Sequence, residues 1–83
     1  MVEFTYLMFE DIYKTNLKCE LPISIKVENI ILFHPVCGCE EYTEIYLDHN
    51  SHYIVKESYE EVRRKLKIEL KNKKKKMQFI NEN

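Results

Sequence analysis

Ser58-Tyr59-Glu60-Glu61 is a capping box, and it divides the chain into two kinds of sequence. The serine oxygen accepts from the backbone N–H three residues on, while Glu61 reaches back to the serine N–H, which starts a helix at that point. Tyr59, Val62, Leu66 and Leu70 then recur at helical spacing and place one apolar stripe on whatever precedes them. Acidic residues fill the first turn and basic ones follow, as the helix dipole favours. Beyond Leu70 the run Lys71-Asn72-Lys73-Lys74-Lys75-Lys76 is expected to repel itself and fray into solvent.

Upstream of the box the chain reads as strand and turn. Residues 2–9 are dominated by β-branched and aromatic side chains and read as a first strand. Residues 10–20 read as a loop or distorted hairpin. Ile23, Ile25 and Val27 alternate with Ser24 and Lys26, Pro22 suits the start of that strand, and Glu28-Asn29 breaks the register before a strand at 30–34. The stretch 34–41 holds the only glycine and one of the two prolines and reads as a loop. Thr43, Ile45 and Leu47 alternate next, the polar turn Asp48-His49-Asn50-Ser51 follows, and residues 52–56 complete a hairpin. The expected fold is α+β: a small antiparallel sheet of four to five strands, with one C-terminal helix packed on it and a basic tail. Residues 1–70 form a single domain in this reading, and 71–83 a flexible lysine-rich tail.

The 83 residues make one domain with a thin core, because a chain this short buries only about 60% of its unfolded surface. Deep clefts are hard to build there, and association with a copy is a common remedy, so a homo-oligomer is expected. The net charge of −1 hides a segregation: residues 1–62 sum to −8 and residues 63–83 to +7. Such poles attract each other within or between subunits, and the basic one can also meet nucleic acid. The longest apolar run, Ile30-Ile31-Leu32-Phe33, is far short of the ~20 residues of a membrane span, so no membrane contact is expected. Glu3, Glu10 and Asp11 stand where a signal peptide would be basic and apolar. Three cysteines, an odd number, argue against a disulfide framework, and a reducing cytoplasm is the expected compartment.

The residues with chemistry are few. Cys19, His34, Cys37 and Cys39 are the only zinc-like donor set, but one residue between Cys37 and Cys39 is shorter than the two to four of common zinc sites. Free thiols are expected, with no metal and no cofactor. His34, His49 and His52 invite acid–base chemistry, yet spacing assigns them no carboxylate or nucleophile, and one glycine cannot make a phosphate loop. The chain therefore reads as a non-enzyme. His34, Cys37, Cys39, His49 and His52, drawn from loop-like segments, are the candidate binding residues. Lys73, Lys74 and Lys75 are the candidates for a weak, sequence-independent nucleic-acid contact.

Three segments also resemble a known family. Ile25-Lys-Val-Glu-Asn-Ile-Ile31, Thr43-Glu-Ile-Tyr-Leu47 and Tyr53-Ile-Val-Lys-Glu-Ser-Tyr-Glu-Glu-Val62 are similar to the FlbD-like small proteins, found beside flagellar genes and, in similar short forms, in phages and prophages. The likeness covers roughly residues 23–66. It implies a small accessory protein and supplies no catalytic residues. The expected function is that of a phage-type accessory or inhibitory protein, acting as an oligomer that blocks a host protein or sequesters a small nucleotide signal. The alternatives are a flagellar or regulatory accessory protein and a nucleic-acid binder using its basic end.

Overall fold

A computed structural model describes residues 1–9 and 17–81, with the helical backbone alone for 73–81. Strands β1 (Val2–Phe9), β2 (Leu17–Ile25), β3 (Ile30–Val36), β4 (Cys39–Leu47) and β5 (His52–Val55) precede helix α1 (Tyr59–Asn81). The strands form one antiparallel sheet in the order β2-β1-β5-β4-β3, so β2 and β3 are its two edges. The fold is thus α+β, a five-stranded antiparallel sheet with a single helix packed on it.

The edges are joined by a short link, and that link shapes the sheet. Ile25 lies opposite Val2 and Ile30 opposite Leu47, with only residues 26–29 between, and part of that link is a 3₁₀ turn closed by Asn29 N–H donating to the Lys26 carbonyl at 3.0 Å. Five extended steps reach at most about 18 Å. Four strand spacings of a flat sheet already need about 19 Å. The sheet therefore curls, bringing its edges toward each other. Ile25 of β2, Val27 of the link and Ile30 of β3 accordingly meet in one core cluster.

That cluster fills the helix side of the sheet. Val2, Phe4, Ile25, Ile45 and Val55 pack there against Val62 and Leu66 of α1. Burying Val62 and Leu66 contributes about 1.5–3 kcal/mol each. A second cluster of Leu7, Val36 and Ile54, flanked by Phe9, Cys39 and Tyr42, is separate from it. Leu7 and Ile54 alternate with the helix-side residues along their strands, which places them on the opposite face.

The helix begins as the sequence implies: Glu61 N–H donates to Ser58 Oγ at 3.3 Å, and Ser58 N–H to Glu61 Oε1 at 3.5 Å. Its course differs from expectation in two ways. Val62 and Leu66 are buried and Tyr59 packs on Phe33, but Leu70 is 48% exposed. The backbone also stays helical through the lysine run to Asn81, where fraying was expected after Leu70.

The edges hold the other departures. β2 begins at Leu17, earlier than residue 23, and runs through Pro22; the rest of the expected loop, 10–16, lies outside the described residues. The expected loop 34–41 contracts to the two-residue turn Cys37-Gly38, since β3 continues to Val36 and β4 starts at Cys39. Pro35 is tolerated because β3 is an edge strand, where a missing N–H breaks no ladder. Gly38 adopts φ +81, a left-handed conformation that favours glycine. No described helix is long and apolar enough to cross a membrane.

Candidate functional site

Glu44 is the carboxylate that spacing alone did not assign to the histidines. It sits in the middle of β4, on the face away from α1, between His34 of β3 and Ile54 of β5. Its side chain is 12% exposed, and a carboxylate at that depth requires partners. His52 Nδ1 lies 2.8 Å from Glu44 Oε2, and His34 Nε2 lies 3.9 Å from Oε1. The register explains the meeting. Tyr46 is paired with His52, which puts His52 diagonal to Glu44, and His34 is directly opposite Glu44.

Tyr46 completes the group. Its ring stacks on His52 with centroids 5.4 Å apart and tilts against His34 at 5.6 Å. Four side chains from three adjacent strands thus form a patch with an acid beneath and half-exposed rings above. Nδ1 of His34 lies 2.8 Å from the Pro35 carbonyl, which accepts only a proton, so in the neutral form the His34 imidazole carries its lone pair on Nε2.

A carboxylate that orients an imidazole is also the start of a general-base dyad. Among the described residues no serine, threonine or cysteine is hydrogen-bonded to either ring. The same residues hold no group of three His, Cys, Asp or Glu arranged to bind a metal. The four weak zinc candidates are in fact divided, with Cys19 on edge strand β2 and His34 on the opposite edge, β3. Cys19 Sγ is instead 3.8 Å from Met8 Sδ.

The candidate binding residues from the sequence do not form one site. His34 and His52 come together. Cys37, exposed, lies in the β3–β4 turn, and Cys39 packs beside the Leu7 cluster. His49 is in the β4–β5 turn, 88% exposed and 3.8 Å from Asp48, and it adopts φ 70. The two turns sit at opposite ends of β4, whose nine residues span roughly 27 Å, so Cys37 and His49 belong to different ends of the molecule. The side chains of Lys73, Lys74 and Lys75 lie outside the described residues, while Lys71 before them is exposed on the helix.

Sequence reading missed Glu44 and Tyr46, although a signal for them existed. A hairpin with turn 48–51 sets Leu47 against the start of the next strand and hence Tyr46 near His52. Glu57 was missed too. Its carboxylate accepts from Thr5 N–H at 2.9 and 3.1 Å, and from the Thr5 hydroxyl at 3.2 Å, with Lys65 Nζ at 3.5 Å. Its carbonyl accepts from the Thr43 hydroxyl at 2.8 Å. This residue ties β1, β4 and α1 together.

No protein-family model, curated protein or solved structure matches this chain.

Proposed function

We propose that this chain is a non-enzymatic binding protein that recognises a protein partner through the sheet face opposite α1, centred on His34, Glu44, Tyr46 and His52. The observation that carries this reading is the ring patch on Glu44. Its histidine side chains remain 47% and 55% exposed while a nearly buried carboxylate holds one of them at 2.8 Å. Ordering exposed rings costs side-chain entropy, and here that cost is met in advance, which favours binding. Leu32, opposite Tyr46 and 49% exposed, adds apolar area beside the rings. Aromatic side chains with a few fixed polar atoms are the usual composition of protein recognition surfaces.

A phosphate-bearing ligand fits this face less well. Three rings could stack on a base, but Glu44 lies beneath them, and Lys56, on the same face, is already paired with Glu20 at 3.3 Å. A host-protein-blocking accessory role is accordingly favoured over capture of a nucleotide. The likeness to the FlbD-like proteins is sharpest at Val55–Val62, which here builds the sheet-to-helix junction through Glu57, Ser58 and Glu61. That likeness supports a shared architecture more than a flagellar role.

The test places a photo-activated cross-linking residue at His34 or, as control, at Glu60 on the helix, and irradiates cells producing each protein. A discrete protein adduct from position 34 alone is the expected result. Equal labelling from both positions would sink the proposal. A rise in melting temperature with cyclic or adenine-containing nucleotides, abolished by Tyr46→Ala, would put the nucleotide reading in its place.

A further inference from the structure

The β3–β4 turn brings two thiols to one bend of the chain. Val36 at the end of β3 is paired with Cys39 at the start of β4, so Cys37 and Gly38 alone make the connection. Gly38 carries φ +81 while Cys37 stays out of the left-handed region, the pattern of a type II turn with glycine in its third position. Two Cα–Cα steps of about 3.8 Å folded through such a turn leave Cys37 and Cys39 roughly 5.5–6 Å apart at Cα, within the span of a disulfide. Both thiols are free, with Cys37 exposed and Cys39 half-buried. A Cβ placed on Gly38 would meet nothing within 4 Å, so the turn has room to adjust as the sulfurs meet. Cys19 stands apart from this pair. It is opposite Met8, which alternates with Leu7, whereas Cys39 packs beside Leu7, so the two cysteines lie on different faces of the sheet.

We infer that Cys37 and Cys39 form a redox-active dithiol, a site for exchange with a small disulfide of the glutathione type. The exposed sulfur reacts first. Cys37 as thiolate attacks one sulfur of glutathione disulfide, a Cys37–glutathione bond forms, and one glutathione thiolate leaves. Cys39 as thiolate then attacks the Cys37 sulfur, which closes the Cys37–Cys39 bond and releases the second glutathione. Two protein thiols are oxidised, one glutathione disulfide is reduced to two thiols, and the protons lost by the cysteines pass to the departing thiolates. Held one residue away, Cys39 reaches the mixed disulfide ahead of any thiol in solution. Excess reduced glutathione runs the same steps backward, so the bond is a transient one that a reducing compartment tolerates. Closure acts on the turn that holds Val36 and Cys39 beside Leu7 and Ile54, and the two redox forms differ at that end of the sheet. This inference is independent of what the ring patch binds.

The experiment equilibrates the protein with reduced and oxidised glutathione, quenches it in acid, alkylates the remaining thiols and reads intact and peptide masses. The expected oxidised species carries no glutathione and resists alkylation at Cys37 and Cys39 only. Its ratio to the reduced form should fall about twofold when both glutathione concentrations are doubled, because closure releases two thiols for each disulfide consumed. A mixed disulfide releases one, and its ratio is indifferent to that doubling. Cys19→Ser should behave as the unaltered protein does. Cys39→Ser, checked for retained fold by circular dichroism, should stop at the Cys37–glutathione adduct. The inference is overturned by an unaltered protein that stays reduced, that accumulates glutathione on Cys37, or that joins Cys37 to Cys19 or to another chain.

Discussion

Glu44 and Glu57 each show 12% of their side chain to solvent, yet their partners differ in kind. Glu57 is satisfied by a backbone N–H, by Thr5 and by Lys65, groups that belong to the junction of sheet and helix. Glu44 lies 2.8 Å from His52 and 3.9 Å from His34, two histidines that are themselves half in solvent. Removing the first carboxylate leaves a main-chain donor, Thr5 N–H, without its acceptor, whereas the second lies among half-exposed rings. Two equally buried acids thus mark a structural joint and a prepared surface.

The largest effect is expected at the joint. Glu57→Ala leaves Thr5 N–H without its acceptor at a part-buried position, a loss of about 2 kcal/mol. In a domain of this size that lowers the melting temperature by roughly 8–16 °C. Thermal denaturation followed by circular dichroism checks it, and a fall of less than about 3 °C would erase the distinction between the two glutamates.

Next come the single hydrogen bonds around that joint. Thr43→Val keeps the volume but removes the hydroxyl that donates to the Glu57 carbonyl, and Ser58→Ala removes the helix cap. Each is expected to cost about 1 kcal/mol by urea titration. If Ser58→Ala had no effect while Thr43→Val cost the full amount, stability at the junction would reside in the sheet rather than in the helix start.

On the open face the expected stability change is smaller still. His34→Ala should remain within about 0.5 kcal/mol of the parent, because the ring is half exposed and its only carboxylate contact is 3.9 Å long. A loss of several kcal/mol would make His34 a structural residue like Glu57.

The helix beyond the sheet should matter least to the fold. Ending the chain after Asn72 removes no residue of either core cluster, so the melting temperature should hold within a few degrees. Any DNA binding by the full chain should be weak, indifferent to sequence and steeply reduced by salt, and it should fall on truncation. Tight, sequence-selective binding lost with the truncation would transfer the functional surface from the sheet to the helix.

Much of the architecture was legible because it depends on local pattern. The aromatic and β-branched run 2–9, the alternation at 43–47 and the capping box each fix their own element without help from elsewhere. The edges were less legible. Leu17–Pro22 has no clean alternation because an edge strand leaves Leu17, Lys18, Glu20 and Leu21 exposed, and so exerts little demand on sequence. His34-Pro35 resembled a loop because proline breaks a central strand, and nothing local says that this strand is at an edge. The site was the least legible part. Glu44 looks like any outward-facing polar residue until three strands are in register, and the histidines it gathers are 8 and 10 positions away in the chain.

The central claim is that Glu44, Tyr46 and the two histidines are organised for recognition rather than for stability. The direct measurement takes the cross-linked partner and determines its affinity for His34→Ala, Tyr46→Ala and Glu57→Ala proteins at a temperature where all three are folded, alongside each melting curve. The account predicts at least a tenfold loss of affinity for the first two, about 1.4 kcal/mol, with affinity retained in folded Glu57→Ala despite its lowered melting temperature. Affinity that declines in step with melting temperature across the three proteins would contradict it.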